Sequence, residues 1–321
     1  MQMREQVIAM MESIERLVET DPDGRVFVRL GLVVTLYFPR GHTLEKREAV
    51  LECFRDYLDL CGEHLRWWVI EGRRFSPVAK LINRDLAPYL LSPKIDQDPE
   101  RTWGIFWHGG EHMDDASDYR ISAFGQSKFE SDLDQDLSFL SATFPLVWLP
   151  ERREELLRLA LLWCERLQPL HGYGGAGIVD AASDGLATIY QKRVYALAKR
   201  HPGLEVDYPL DHALWTQRGI KGGNWITVLA DVFVAHLGGV DALRSGLGQP
   251  FKIYEYRGGV MIVAGENPEI GDRNRNLDTP LYRRLARVLR PIRVVFHPGV
   301  HDWEGGFDKE EFESWLARFD D

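Results

Sequence analysis

The chain has 321 residues, of which 45% are apolar and 27% charged, and its formal net charge at neutral pH is −10. These values are typical of a globular protein with a sizeable core, and the acidic balance argues against a protein that grips phosphate backbones. The three cysteines, Cys53, Cys61 and Cys164, form no Cys-x-x-Cys motif, which favours a reducing compartment. Four glutamates fall within the first 19 residues, so we expect neither a signal peptide nor a membrane anchor there. We therefore expect a cytoplasmic protein.

In the first half of the chain, hydrophobic periodicity predicts helices and strands in irregular alternation. An amphipathic helix is expected over Met3 to Val18. The β-branched and aromatic run from Val26 to Phe38 predicts a central strand or a hairpin around Gly31. The other predicted elements are a helix from Thr43 to Leu60, a strand from Leu65 to Glu71, a helix from Ser76 to Leu91, and strands over Thr102 to Trp107, Tyr119 to Phe124 and Leu137 to Leu149.

In the second half, proline and glycine mark most element boundaries. Gly258-Gly259 lies between two β-rich runs and predicts a hairpin, and Pro280 predicts the first turn of a helix. The other predicted elements are helices over Glu151 to Leu167, Ser183 to Arg200 and Asp308 to Asp321, a strand or strand-to-helix passage over Asn224 to Val234, and a strand over Ile292 to Phe296. This order predicts an α+β fold with a mixed, largely antiparallel sheet or sheets and packed helices. We expect one domain over residues 1–321, or two tightly packed lobes with a boundary near residue 150.

A glycine-rich stretch from Gly172 to Gly177 matches the letters of the dinucleotide fingerprint G-x-G-x-x-G. In that fingerprint the glycines follow a strand and open directly into a helix. Here a predicted helix and Pro169 precede them, and the next helix begins only near Ser183. We therefore interpret the stretch as a glycine turn and expect no nucleotide cofactor.

Histidines at metal-ligand spacing occur twice, His108 with His112 and His297 with His301. Histidines four residues apart can bind zinc when they lie on a helix, but both pairs stand among loop-forming residues and neither has the glutamate of an HExxH motif. No G-x-S-x-G motif is present either. We expect no metal and no catalysis, with a metal-dependent hydrolase using His108 and His112 as the alternative. A structural subunit of a larger assembly is a third possibility.

Charge is concentrated between Asp96 and Asp136, where eleven acidic residues face three basic ones and leave the segment at −8. Aromatic residues are interleaved with these acids. Such a segment can be a set of solvated loops whose aromatics face the core. It can also be an electronegative surface that attracts a basic protein and holds it through buried anchors. On the second interpretation the candidate binding residues are Trp107, Asp114, Asp115, Asp118, Asp132 and Asp134.

The block from Val260 to Arg293, VMIVAGENPEIGDRNRNLDTPLYRRLARVLRPIR, resembles the signature of the TsiV family of type VI secretion immunity proteins. The most specific part of the resemblance covers residues 220–298. Its motif residues, which we expect to be structural, are Asn224, Trp225, Gly271, Asp272, Asn274, Arg275, Pro280, Tyr282 and Arg283. The resemblance implies a protein that is not an enzyme and that binds a cognate toxin, often a nuclease, encoded by a neighbouring gene. It implies no nucleic acid and no membrane as partners.

Overall fold

The computed structural model describes residues 17–70, 73–81, 83–92, 98–297 and 308–320. The strands are β1 (Glu19–Thr20), β2 (Val26–Phe38), β3 (Trp67–Ile70), β4 (Ser76–Pro77), β5 (Trp103–His108), β6 (Arg120–Gly125), β7 (Ser138–Phe144), β8 (His171–Asp180), β9 (Glu205–Val206), β10 (Ile226–Ala230), β11 (Lys252–Tyr256) and β12 (Gly259–Val263). The helices are α1 (Leu44–Cys61), α2 (Ala87–Leu90), α3 (Leu149–Leu167), α4 (Asp184–Arg200), α5 (Pro209–Trp215), α6 (Asp231–His236), α7 (Val240–Leu247), α8 (Pro280–Leu289) and α9 (Lys309–Leu316). None of the helices within the described ranges combines the length and apolarity that a membrane crossing requires.

All twelve strands within the described residues belong to one open sheet, in the order β11-β12-β10-β8-β2-β7-β6-β5-β3-β4, with β1 beside β2 and β9 beside β8. Every pair along this order is antiparallel, and only the short β9 runs parallel to its neighbour. The predicted α+β fold with a largely antiparallel sheet is confirmed. Strands from both sides of residue 150 lie in this sheet, while the division into one domain or two lobes stays a prediction.

Strand β2 is the centre of the sheet because nearly all of its residues are buried on both faces. One set of alternate side chains, from Leu32 to Phe38, enters the main core beneath α1 and α3. We call this side the first face. The other set includes Thr35 and Tyr37 and points to the second face, which α4 and α5 cover. The uninterrupted strand rules out the hairpin alternative around Gly31, and the central strand is confirmed.

The glycine-rich stretch from Gly172 to Gly177 is a strand, so its interpretation as a turn was wrong. It pairs with β2 on one side and β10 on the other. A Cβ atom on Gly175 would lie 2.3 Å from Oδ1 of Asn224, so glycine is needed there for close approach of the second face's polar groups. The absence of side chains removed the alternating pattern by which a strand is normally recognised.

Two predicted elements are corrected. The segment from Ser76 to Leu91 is not a helix but a two-residue strand, a 3-10 turn and the short α2. Pro88 lacks the N–H that a continuing helix would need and clashes with the preceding turn. The strand expected over Ile292 to Phe296 is a 3-10 turn followed by a single bridge between Arg293 and Ile220. The helix expected over Met3 to Val18 lies almost wholly outside the described residues.

Candidate functional site

The structure separates the candidate acidic residues into two groups at opposite ends of strand β6. Asp114, Asp115 and Asp118 lie in the loop between β5 and β6, whereas Asp132 and Asp134 lie in the connection between β6 and β7. A six-residue strand spans roughly 20 Å. The acidic segment is therefore two surfaces, and each has to be assessed by itself.

The first group is largely engaged in holding its own loop. The carboxylate of Asp115 is buried and accepts the backbone N–H groups of Val26 and His112, both within 2.9 Å. Asp118 forms an ion pair with Arg29 at 2.8 Å. Burial raises the pKa of Asp118, and the Arg29 guanidinium opposes that rise. The carboxylates of Asp115 and Asp118 therefore mainly hold the loop in position and add little negative charge to the surface.

Trp107 is fully buried at the first face of the sheet, within the main core. A fully buried ring contacts a partner only if the core opens, so we remove Trp107 from the proposed surface, and Asp115 with it. Asp114 is half-buried, and its backbone oxygen accepts a hydrogen bond from Ala182 at 2.9 Å.

The second group stands on a short helical turn whose local sequence explains its shape. The Ser127 hydroxyl accepts the N–H of Glu130 at 3.2 Å, and the Glu130 carboxylate accepts the N–H of Ser127 at 3.1 Å. This reciprocal pair is a capping box, which fixes a helix start. The turn continues as a π-helical segment, Glu130–Asp134, and ends at Gln135 in the left-handed conformation. We call residues 126–137 the acidic turn.

Two large apolar side chains are exposed on the acidic turn. Phe129 is 58% exposed and Leu133 is 65% exposed, and they lie four residues apart on the same side of the turn. Asp132 pairs with Lys128, while no described residue forms an ion pair with Asp134. Sequence reasoning missed Phe129 and Leu133 as surface residues, although the Ser-x-x-Glu spacing at Ser127 could have identified the protruding turn.

The surface continues from the acidic turn onto α5. The backbone N–H of Leu137 donates to the Ala213 carbonyl at 3.1 Å, and the Gln217 amide donates to Asp136 at 2.9 Å. Helix α5 adds two exposed apolar residues, Leu210 at 48% and Trp215 at 41%. Exposed apolar groups among carboxylates form the kind of patch that marks an interaction surface.

Several of the family motif residues hold the second half of the chain together. The amide of Asn224 donates to the Glu205 carboxylate at 2.8 Å, and Glu205 pairs with the buried Lys221 at 2.8 Å. The Asp272 carboxylate accepts hydrogen bonds from Nε and Nη2 of Arg200, at 3.2 and 2.8 Å. The Arg200 guanidinium keeps the pKa of the Asp272 carboxyl below its usual range. These contacts lie within the chain, and the assignment of the motif residues as structural stays a prediction.

The remaining motif residues shape the start of α8. Gly271 has a φ of +68°, a conformation that favours glycine, and Pro280 occupies the first turn of the helix. Tyr282 and Trp225 are buried in the core. Asn274 and Arg275 are exposed, and Arg283 pairs with Asp278 at 2.9 Å.

The geometry around His108 gives no support to the hydrolase alternative. Its Nε2 atom is 3.1 Å from the Met113 carbonyl oxygen, and its Nδ1 atom accepts the Gly110 N–H at 3.2 Å. Burial lowers the pKa of His108 to about 4. His112 is exposed, and His301 lies outside the described residues. Within the described ranges, no three or more His, Cys, Asp or Glu side chains converge as a metal site would need.

Comparison with known proteins agrees with the resemblance seen in the sequence. The family description "TsiV: Type VI immunity for VRR-NUC" matches residues 49–319, and the chain belongs to this family. The Pseudomonas aeruginosa T6SS protein PA0821 has a similar structure, with a TM-score of 0.84 and 25% sequence identity. The match covers 99% of this chain and 91% of that one. Among curated proteins, none matches the chain.

Proposed function

We propose that this protein neutralises a VRR-NUC nuclease toxin of a type VI secretion system by binding it in the cytoplasm of the producing cell. Membership of a type VI immunity family supports the class of partner. The choice of the acidic turn as the binding surface is supported by the exposure of Phe129 and Leu133 between carboxylates. The protein acts by binding alone and performs no catalysis.

The acidic turn carries the charge that would attract a nuclease. A nuclease must hold phosphates, so its nucleic-acid groove is basic. Asp132 and Asp134 are exposed and can take the place of phosphates in such a groove. Opposite charges speed association, while desolvated apolar anchors such as Phe129 and Leu133 slow dissociation. An interface of about 1,600 Å² would be enough to cover an active site.

The first acidic group contributes less to this proposal. Asp118 is paired with Arg29 and Asp114 is half-buried, so both are partly neutralised or screened before a partner arrives. They lie roughly 20 Å from the acidic turn. We therefore place Asp114 and Asp118 at the edge of the interface or outside it.

The test is co-expression of the chain with the VRR-NUC toxin encoded beside it, followed by measurement of Kd. We expect rescue of growth and a stable complex. Charge reversal by Asp132→Lys with Asp134→Lys should raise Kd about tenfold or more and flatten its dependence on salt. Asp241→Lys, on a 97% exposed side chain of α7, is the matched control and should leave Kd unchanged.

The apolar anchors need a separate variant. Leu133→Ser should raise Kd and leave the salt dependence as it is, because it removes buried apolar area without removing charge. Val232→Ser is its control, since Val232 is 62% exposed at the start of α6. Equal Kd values for wild type, the charge-reversed protein and Leu133→Ser would remove the acidic turn from the interface.

A further inference from the structure

A cavity of about 400 Å³ opens on the second face of the sheet, beside the acidic turn. Small residues of β5, β6 and the loop before α4 leave the space, and the rings of Phe106, Phe124 and Phe139 form apolar walls. Phe124 and Phe139 are paired across β6 and β7, one residue from the end of β6 and the start of β7, and their ring centroids are 6.2 Å apart. The connection between these two strands is the acidic turn. Leu210 of α5 also lines the cavity.

Five charged residues line the cavity, and they do not cancel. Arg120 is paired with Asp180 at 3.5 Å, and its guanidinium lies 4.6 Å from the centre of the Phe106 ring. Arg73 is exposed. The other two are carboxylates, Asp207 and Asp211, which stand four residues apart at the start of α5. The lining therefore holds three carboxylates and two guanidinium groups.

The carboxylate of Asp207 is held by hydroxyl groups. Tyr173 donates to it at 2.5 Å, Ser141 at 2.8 Å and Thr35 at 3.0 Å. Among the described residues, no lysine or arginine lies within ion-pair distance of it. Hydroxyl donors orient a carboxylate and satisfy its lone pairs, yet they leave its full negative charge. The buried ammonium of Lys221 is attracted by Asp207, but it is already paired with Glu205 at 2.8 Å. A further cation that enters the cavity is therefore still attracted by the Asp207 carboxylate.

We propose that the cavity receives an arginine or lysine side chain of the toxin when the toxin docks on the acidic turn. The aliphatic stem of such a side chain would lie along the phenylalanine rings, and its charged head would reach Asp207 and Asp211. The volume lies within the range of cavities that hold small ligands. This inference rests on the proposed function, because it places the toxin over the neighbouring surface.

The test fills the cavity without changing its charge. Ala187 of α4 lines the cavity and is partly exposed, whereas Ile189 of the same helix is 70% exposed and is not among the lining residues. Ala187→Trp should raise the Kd for the VRR-NUC toxin about tenfold or more, because the indole takes the place of the inserted side chain. Ile189→Trp should leave Kd unchanged. Both variants must match the wild type in circular dichroism and thermal midpoint before their Kd values are compared.

A second variant tests the charge. Asp207→Asn keeps the shape of the side chain and removes the carboxylate charge, so it should also raise Kd. Toxin binding that stays at the wild-type Kd in folded Ala187→Trp and Asp207→Asn proteins would overturn the inference and leave the proposed function intact. A wild-type protein that neither rescues growth nor binds the toxin would overturn both.

Discussion

Replacement of Gly175 by even the smallest side chain, that of alanine, would disturb the second face of the sheet. Asn224 lies against it, with Oδ1 accepting the Trp225 N–H at 2.7 Å and Nδ2 bound to Glu205. Glu205 in turn neutralises the buried ammonium of Lys221. A displaced Asn224 therefore leaves polar groups without partners in the interior, where each unmade hydrogen bond costs about 1–3 kcal/mol.

Substitution of Gly175 by alanine should lower the free energy of unfolding by about 1–3 kcal/mol, measured by urea denaturation. The reason is the 2.3 Å approach between the new Cβ and Asn224 Oδ1. The control is Gly246→Ala on α7, where the new Cβ would meet only Val288, at 3.5 Å. That change should stabilise the protein by about 0.5–1 kcal/mol. Similar effects of the two substitutions would contradict this account of Gly175.

Single residues show what the sequence could and could not reveal about the site. The concentration of acids was visible, and so was the family motif. Burial could not be predicted, because the sequence does not specify whether Trp107 and Asp115 face solvent or the core. Phe129 and Leu133 are exposed because the turn that carries them projects from the sheet, and this projection is known only from the structure.

Among the elements, α8 begins at a partly buried carboxylate. Oε2 of Glu269 accepts the N–H groups of Leu281 and Tyr282, at 2.9 and 3.2 Å, and so satisfies two of the free donors at the helix start. Burial raises the pKa of Glu269 to about 6, and the two N–H donors oppose this rise. The two N–H groups therefore stabilise the charged form of Glu269, whereas burial favours its protonated form.

The raised pKa of Glu269 sets the sign of a pH effect. Below about pH 4.5, the ordinary pKa of a glutamate, the carboxyl is protonated in both folded and unfolded chains, and its contribution to stability is complete. As pH rises through about 6, the unfolded chain releases its proton first and that contribution is lost. We expect Glu269→Gln to remove this decline, by up to about 1–2 kcal/mol, in urea denaturation followed from pH 4.5 to 6.5.

Glu266→Gln serves as the control for that measurement. Glu266 is in the same loop, but its side chain is 63% exposed and pairs with Arg153 at 3.1 Å. Its loss should leave the decline between pH 4.5 and 6.5 in place. A Glu269→Gln protein with the wild-type pH profile would show that this carboxyl titrates normally.

Elements with strong local signals were predictable, and those that depend on distant partners were not. The hairpin at Gly258 and the helix from Pro280 were found because glycine and proline dictate local backbone geometry. The strand expected over Ile292 to Phe296 has the composition of a strand. It forms only one bridge because the neighbouring chain around Ile220 runs beside it for a single residue.

At the scale of the whole molecule, we propose that residues 1–321 form one domain. Strand β2 lies between β7 and β8, which come from opposite sides of the possible boundary near residue 150. Separation of two lobes there would break the sheet along its middle. Urea unfolding should therefore show a single transition, with coincident curves from tryptophan fluorescence and circular dichroism.

Two resolved transitions would contradict the single domain. A further check is separate expression of the fragments 1–150 and 151–321. If the sheet is one unit, neither fragment should be folded when it is purified alone, because each would expose an edge of the central strands. A folded fragment would support the two-lobe alternative.

The fold class could be predicted from the sequence, whereas the order of strands could not. Periodicity reports which residues are buried, and it identified β2, β5 and β6 within one or two residues. Pairing between β2 and β8 joins residues more than 130 positions apart. No local pattern encodes such a partner, because any strand with a similar apolar face satisfies the same periodicity.

The position of β2 has a consequence for how the protein is made. Its thirteen residues leave the ribosome early, but β7 begins at Ser138, 100 residues after Phe38, and β8 begins later still. At about 5–20 residues per second, the nascent chain carries an unpaired apolar strand for roughly 5–20 seconds. During that time the exposed strand can pair wrongly with other chains, so correct folding of the new chain depends on the ribosome surface or a chaperone covering it.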